Sequence, residues 1–209
     1  MAELLKRFFD QFKLPEGFWG HVAGKIMAVS NRELNAWTVS ILSIQPDDRV
    51  LEVGFGPGVA IELVSKQLDT GMVVGIDASP IMMQQASKRN ATAISLGKVE
   101  LKQASIEHLP AFHEPFDKIF TVNSLMFWPE PVTHLRQLGQ HLKPGGILAV
   151  TFQPRNKGAT DQTALEEGKT YTQYLKEAGF TDIHMQSIKL KPVLAVCVTG
   201  YKPELTYKP

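Results

Sequence analysis

The sequence predicts an α/β fold: a doubly wound, mostly parallel sheet of seven strands with an antiparallel terminal hairpin strand, preceded by an N-terminal helical cap. Three observations predict it. Strand-like and helix-like segments alternate after residue 46, which is typical of a parallel sheet with crossover helices. Two strand-like segments, residues 183–188 and 193–198, then follow one another with no helix between them. Residues 1–45, by contrast, have only helical patterns.

The predicted strands are short runs of apolar and β-branched residues. They cover residues 49–53, 72–77, 99–103, 116–122 and 147–152, and the terminal hairpin follows them. Runs that are apolar on both faces are typical of buried strands in a parallel sheet.

The predicted helices have apolar residues at spacings of three and four. They cover residues 2–13, 19–29, 31–45, 60–68, 80–93 and 164–178, with one more beginning near Pro131. Ser79 is a good N-cap because Pro80 would then occupy the first helical position. Gly145, Gly146 and Gly179 are expected to end the helices that precede them.

The length of 209 residues suits one domain with a small attachment better than two domains with separate cores. We therefore expect a helical cap or lid over residues 1–46 and one α/β domain over residues 47–209. Composition agrees with a folded chain, since 44% of the residues are hydrophobic and 21% are charged.

Charge and cysteine content exclude several classes of protein. The 22 Lys and Arg residues balance 21 Asp and Glu residues, so the basic excess of a typical nucleic-acid-binding protein is missing. The single cysteine, Cys197, cannot form an internal disulfide or a cysteine-rich metal site. We expect a cytoplasmic protein that binds no nucleic acid; its oligomeric state stays open.

No stretch of the sequence approaches the roughly 20 apolar residues of a membrane span. Charged residues also interrupt the apolar character of the first residues, which argues against a secretory signal. An apolar stripe of Leu4, Leu5, Phe8, Phe9 and Phe12 is more typical of a packed terminal helix than of an interfacial one. We expect no integral membrane association.

The segment that carries chemistry is a strand followed by a glycine-rich turn and a helix. It reads Glu52-x-Gly54-x-Gly56-x-Gly58. Glycine permits unusual backbone angles there and lets a ligand lie against the main chain at a helix N-terminus. The dinucleotide fingerprint would require a third glycine at position 59, where this chain has Val59.

A second acidic residue, Asp77, ends the next predicted strand, where a carboxylate can accept hydrogen bonds from a ribose diol. With this pattern the chain resembles the class I, Rossmann-like methyltransferases that depend on S-adenosylmethionine. The resemblance implies that cofactor, with S-adenosylhomocysteine as product. It implies cofactor contacts at Glu52, Gly54, Phe55, Gly56, Gly58, Asp77, Ala78, Met82, Ser105, Ile106 and Asn123. Glu52 would interact either with the glycine loop or with the charged methionine end of the cofactor.

Further segments are similar to the same family. Residues 116–120 resemble its fourth strand, residues 142–146 the turn before its fifth strand and residues 175–180 the segment before its sixth. One position departs, because many members have aspartate where this chain has Ser105. The hydroxyl of Ser105, or the backbone of Ile106, would then contact the adenine.

The acceptor is expected beyond the fourth strand, near the transferable methyl group. Members that methylate nitrogens of nucleobases or peptides have Asn or Asp, two prolines and an aromatic residue there, whereas this chain has Asn123-Ser124-Leu125-Met126. Asn123 would contact the cofactor or the acceptor, or else cap the turn. Phe127 and Trp128 would face either the sulfonium or an apolar or cationic acceptor, with cation–π attraction to a cation, or else simply pack.

The cap would complete the acceptor pocket. Its candidate residues are Phe18, Trp19, His21 and Trp37, to which Phe127 and Trp128 are added. His21 and Asn123 are the candidate catalytic residues, and His21 is the candidate general base because its ordinary pKa lies near neutrality. The alternative for His21 is a surface or packing role. No histidine has the spacing with acids that a metal site requires, so no metal is predicted.

The predicted function is methyl transfer to an oxygen, nitrogen or carbon atom of a small molecule, mainly through proximity and orientation. Two alternatives stay open. One is a non-catalytic module that binds S-adenosylmethionine, and the other, disfavoured by Val59, is a nucleotide-dependent oxidoreductase.

Overall fold

A computed structural model of the chain describes residues 31–204. Its α-helices are α1 (Arg32–Leu42), α2 (Val59–Ser65), α3 (Pro80–Arg89), α4 (Ala91–Ser95), α5 (Pro131–Gln140) and α6 (Asp161–Ala178). Its strands are β1 (Arg49–Val53), β2 (Met72–Asp77), β3 (Val99–Gln103), β4 (Phe116–Val122), β5 (Leu142–Phe152), β6 (Thr181–Ile188) and β7 (Ala195–Tyr201). Short 3₁₀ helices cover Ile106–His108 and Leu125–Phe127.

The strands form one sheet in the order β3-β2-β1-β4-β5-β7-β6. Strands β1 to β5 pair in parallel, whereas β7 runs antiparallel to both β5 and β6. The predicted doubly wound sheet with an antiparallel terminal hairpin strand is confirmed.

Alternate residues of the strands enter two apolar layers, one on each face of the sheet. Leu51 and Ile119 belong to the layer that α5 and α6 cover, whereas Val50 and Phe120 face α1, α2 and α3. Because both faces are buried, the central strands tolerate few polar residues, as their sequences indicate.

Helix α1 is the part of the predicted cap that the structure describes. Leu34 and Leu42 are buried in the same apolar layer as β1 and β4, and the Thr38 hydroxyl donates a hydrogen bond of 2.8 Å to Thr151 Oγ1 in β5. The predicted helices over residues 2–13 and 19–29 lie outside the described residues. The division of the chain at residue 46 stays a prediction.

The predicted helix over residues 80–93 is divided into α3 and α4 at Asn90. This residue is buried, and its side-chain amide donates hydrogen bonds to the carbonyl oxygens of Gly58 and Ala86, at 3.1 and 3.0 Å. An asparagine side chain competes well with helical backbone bonds, so it can end one helix while tying it to the glycine-rich turn.

Strand β5 begins earlier than the sequence predicts. Leu142 pairs with Phe116 of β4, and regular pairing resumes between Ile147 and Lys118. The register shifts between these two pairs, so the segment with Gly145 and Gly146 bulges out of the strand instead of merely ending α5.

No described helix combines the length and apolar character that crossing a membrane requires.

A buried ion pair joins β4 to the turn before β1. Lys118 Nζ lies 2.7 Å from Asp48 Oδ2, and the two side chains are only 12% and 8% exposed. Lys118 also donates to the carbonyl oxygen of Ser43, and Asp48 accepts the backbone N–H of Gln45. This cluster closes the amino-terminal edge of the sheet, opposite the carboxyl ends of the parallel strands.

Lys118→Met should lower the free energy of unfolding by about 3 kcal/mol, because it leaves the Asp48 carboxylate buried without its cation. Urea denaturation measures this loss. The matched control is Lys143→Met, which removes a pair with Asp117 of the same 2.7 Å length whose lysine is 47% exposed. It should cost less than about 1 kcal/mol, and equal losses in the two variants would contradict the assignment.

Candidate functional site

A cavity of about 230 Å³ lies where the carboxyl ends of β1, β2 and β4 meet the segment after β3. It is lined by Val53, Gly54, Ile76, Asp77, Ala78, Ala104, Ser105, Ile106, Glu107, Ser124, Phe127, Trp128 and Pro129. A site at this edge of a parallel sheet, between strands whose crossovers run in opposite directions, is the expected ligand position in a doubly wound fold.

The glycine-rich turn after β1 depends on its glycines. Gly54, Gly56 and Gly58 have φ angles of 78°, 52° and 75°, in the left-handed region that favours glycine. A Cβ atom on Gly54 would lie 2.8 Å from the Cβ of Ser124, closer than side chains approach one another. The glycines therefore both form the turn and let it touch the segment after β4.

The Asp77 carboxylate fixes this turn to the end of β2. Asp77 Oδ2 accepts the backbone N–H of Gly56 and Oδ1 that of Ser79, each at 2.8 Å. Burial raises the pKa of the Asp77 carboxyl, and the two hydrogen bonds from Ser79 and Gly56 oppose that rise. Each carboxylate oxygen keeps a further lone pair for a ligand hydroxyl.

Glu52 is a buried acid directly beneath the turn. Its side chain is 2% exposed, and Oε2 has no hydrogen-bond partner among the described residues. Burial raises the pKa of the Glu52 carboxyl well above its ordinary value, and the nearby Asp77 carboxylate raises it further. A hydrogen bond from the backbone of Ile61 opposes this shift only in part. Two carboxyl groups thus give this end of the cavity a negative potential when both are ionised.

The segment after β3 forms the opposite wall. Ser105 and Ile106 both line the cavity, and Ser105 Oγ lies 3.3 Å from His108 Nδ1. Ala78, next to Asp77, lines the cavity as well.

The segment after β4 forms the third wall. Trp128 Nε1 donates a hydrogen bond of 3.1 Å to Ser124 Oγ, and the indole is otherwise buried. Phe127 is 39% exposed and lines the cavity. This wall offers aromatic surface near the place where the glycine turn meets Ser124.

Several residues predicted to contact the cofactor do not line the cavity. Phe55 and Met82 are buried in the apolar layer around α2 and α3, and Gly58 packs so closely on Ala86 that a Cβ would lie 2.7 Å from the alanine Cβ. Gly56 contributes its backbone N–H to Asp77 rather than surface to the cavity. These residues shape the turn from behind, as does Glu52.

Trp37 and Asn123 also lie away from the cavity lining. Trp37 packs against the apolar layer around α1, and Asn123 Oδ1 accepts the backbone N–H of Gln153 at 2.8 Å. The remaining candidates, Phe18, Trp19 and His21, lie outside the described residues. Residues 31–204 contain no group of three histidine, cysteine or acidic residues that could hold a metal ion.

The sequence predictions missed six residues that line the cavity: Val53, Ile76, Ala104, Glu107, Ser124 and Pro129. Ser124 and Glu107 each follow the end of a parallel strand closely, which is the signal that could have identified them. The contact of Ser124 with Gly54 depends on how far apart β1 and β4 lie, and no local pattern reports that distance.

Comparison with known proteins gives a consistent result. Residues 50–146 match the family model described as a methyltransferase domain. The uncharacterized methyltransferase YdaC of Bacillus subtilis is 38% identical over 182 residues, which cover 87% of this chain and 98% of that protein.

Two more distant proteins extend the comparison. Erythromycin 3''-O-methyltransferase of Saccharopolyspora erythraea is 25% identical over 181 residues, covering 77% of this chain and 59% of that longer protein. The structure of the N-methyltransferase NodS of Bradyrhizobium japonicum, in complex with S-adenosyl-L-homocysteine, has a TM-score of 0.66 at 20% identity and covers 83% of this chain and 87% of that one. At that identity the likeness to NodS shows the fold.

Glu52→Gln should stabilise the protein increasingly as the pH rises. A carboxyl whose pKa is raised in the folded state contributes stability below its unfolded pKa, and that stability is lost as the pH rises through the folded pKa. At about pH 8 the variant should exceed the wild type by about 1 kcal/mol or more in free energy of unfolding, and at about pH 4 the two should agree. Urea denaturation across this range measures the difference.

The control for this pH series is Glu107→Gln, since Glu107 is an exposed residue of the same cavity. Its stability should stay within about 0.5 kcal/mol of the wild type at each pH. A Glu52→Gln protein that loses stability at alkaline pH would show that the charged carboxylate has a stabilising partner.

Proposed function

The chain belongs to the class I, Rossmann-like, S-adenosylmethionine-dependent methyltransferases, and we propose that it transfers a methyl group to an oxygen, nitrogen or carbon atom of a small molecule. One observation carries the proposal: the glycine turn, Asp77, Ser105 and the aromatic wall after β4 all border the same cavity. A nucleoside site and an acceptor site are then adjacent, as direct group transfer requires.

The residues around the glycine turn fit this cofactor. Asp77 has lone pairs for the two ribose hydroxyls, and the Ser105 hydroxyl and Ile106 backbone lie on the side where adenine would be placed. Among the described residues that line the cavity there is no lysine or arginine. The Asp77 carboxylate favours a cationic ligand over a diphosphate, which disfavours the oxidoreductase alternative.

When bound, S-adenosylmethionine would supply a methyl group whose carbon an acceptor nucleophile can attack in line, with S-adenosylhomocysteine as the leaving group. The protein would hold the cofactor and the acceptor and align them for the transfer. The glycine turn and Asp77 would fix the nucleoside, and Phe127 and Trp128 would give the acceptor an apolar surface. The candidate base His21 lies outside the described residues and stays a prediction.

A small acceptor is supported by two observations. Residues 153–160 connect β5 directly to α6, which leaves no room there for a substrate domain. The relative erythromycin 3''-O-methyltransferase is also named for a small-molecule acceptor. We extend the proposal to a cytoplasmic location without nucleic-acid partners, supported by the balanced charge and by Cys197, a buried free thiol.

The direct experiment incubates the full chain with S-adenosylmethionine and panels of hydroxylated, amine and carboxylic small molecules, and measures S-adenosylhomocysteine release. Release that depends on a small molecule supports the proposal. Release only with RNA or protein substrates would overturn the acceptor class, and binding of the cofactor without turnover on any panel would favour the non-catalytic alternative.

Asp77→Ala should weaken the binding of S-adenosylhomocysteine about 10- to 100-fold, because charged hydrogen bonds to the ribose are lost. Isothermal titration calorimetry measures the affinity. Asp77→Asn keeps one carbonyl oxygen as an acceptor and should lose less affinity than Asp77→Ala. An unchanged affinity in Asp77→Ala would show that the ribose is held elsewhere.

Gly54→Ala should reduce the affinity for S-adenosylhomocysteine at least about tenfold, since its Cβ would displace Ser124 and distort two cavity walls at once. Gly97→Ala is the matched control, because Gly97 has a similar φ of 74° but no atom within 4 Å of a built Cβ. That control should lose about 1 kcal/mol of stability from backbone strain alone and keep its affinity. Equal affinities in the two variants would contradict the placement of the turn.

A further inference from the structure

A buried polar residue, Gln153, follows β5 at the carboxyl edge of the sheet. It is 1% exposed, and its side-chain amide donates hydrogen bonds to the carbonyl oxygens of Val193 and Lys191, at 2.7 and 3.2 Å. Its backbone N–H donates to Asn123 Oδ1 at 2.8 Å. Gln153 thus joins the end of β5 to the end of β4 and to the segment before β7.

Arg155 completes the hydrogen bonding of this glutamine. Its Nη2 donates to Gln153 Oε1 at 2.7 Å and to Asn31 Oδ1 at 2.8 Å. Asn31 directly precedes helix α1. The guanidinium therefore links the start of α1 to the end of β5, and burial lowers its pKa without removing its charge at neutral pH.

Asn123 carries this link into the wall of the cavity. Its backbone has a φ of 52°, which turns the chain sharply at the end of β4, and its N–H donates to the carbonyl oxygen of Thr151 at 2.9 Å. Ser124 comes next and contacts both Gly54 and Trp128. The orientation of Asn123 thus sets where Ser124 and the aromatic wall lie relative to the glycine turn.

We propose that Arg155 is a positioning residue for methyl transfer, which acts through Gln153 and Asn123 on the segment 123–128. The expected effect on catalysis rests on the proposed function, whereas the contacts from Arg155 to segment 123–128 do not. Each polar group in the chain of contacts is satisfied by the next, so the loss of the guanidinium leaves Gln153 Oε1 buried without its cationic donor. Gln153 then shifts or rotates, and the bond that its backbone makes to Asn123 loosens.

The alternative is a purely structural role, in which Arg155 stabilises the whole fold equally. The two roles differ in where the protein becomes mobile. If Arg155 positions segment 123–128, its loss speeds amide hydrogen exchange in that segment alone. If Arg155 stabilises the whole fold, its loss speeds amide exchange across the sheet, in proportion to the fall in the global free energy of unfolding.

Hydrogen exchange of the full chain, read by mass spectrometry with and without S-adenosylhomocysteine, separates these roles. Arg155→Met should speed exchange over residues 123–128 at least about fivefold, while β1 and β2 change less than about twofold. The Trp128 indole N–H resonance, assigned with Trp128→Phe, should shift or broaden because its partner Ser124 moves. The matched control is Arg136→Met. It also removes a guanidinium, whose Nη2 donates to the carbonyl oxygen of Glu177 away from the cavity. Exchange over residues 123–128 should stay unchanged in this control.

Arg155→Lys keeps the positive charge but cannot donate to Gln153 and Asn31 with the fixed geometry of a guanidinium. Its increase in exchange over residues 123–128 should therefore be smaller than that of Arg155→Met. If Arg155→Met fails to fold, Arg155→Lys provides the measurement. Unchanged exchange over 123–128 in the lysine variant and the methionine variant, or a uniform rise across the sheet, would overturn the proposal. No acceptor is needed, so this result is independent of the acceptor screen. With an acceptor in hand, Arg155→Met should lower kcat about tenfold while KM for S-adenosylmethionine changes less than about twofold.

Discussion

The rest of the site depends on the two hydrogen bonds that the Asp77 carboxylate accepts from the backbone N–H groups of Gly56 and Ser79. One fixes the glycine turn against the end of β2, and the other fixes the residue that begins helix α3. With both oxygens held in place, their remaining lone pairs face a ligand without reorganisation. A single half-buried side chain therefore shapes the turn, and in the proposed function it would also offer the main polar contact for the nucleoside.

The contact between Ser124 and Gly54 joins the two halves of the cavity. The half that we propose for the nucleoside is built from β1, β2 and the segment after β3, and the half that we propose for the acceptor is built from the segment after β4. Because methyl transfer from a sulfonium needs alignment more than a dedicated acid or base, the distance between these halves matters directly. The hydrogen bonds from Asn123 to the end of β5 explain how that distance is maintained although the segment after β4 is a short 3₁₀ turn.

Much of the fold can be predicted from local pattern. The bounds of β1, β2 and β4 follow from short apolar, β-branched runs and those of β3 from a weaker, half-polar run, and Ser79 caps α3 as its residue type indicates. The site is harder, because chain-distant contacts decide it. Asn90 divides a helix by binding Gly58, and Asn123 faces Gln153 instead of the cavity. Trp37 faces the apolar layer for the same reason: the packing of α1 on the sheet, which no short segment encodes, decides which side of the helix is buried.

The central claim is that the cavity at the glycine turn holds the nucleoside of S-adenosylmethionine with its ribose on Asp77. A crystal structure of the full chain with S-adenosylhomocysteine tests this most directly. We expect both ribose hydroxyls at hydrogen-bond distance, about 2.5–3.2 Å, from the Asp77 carboxylate, with the adenine beside Ala78 and Ile106. A nucleoside bound outside this cavity, or a ribose without contact to Asp77, would contradict it.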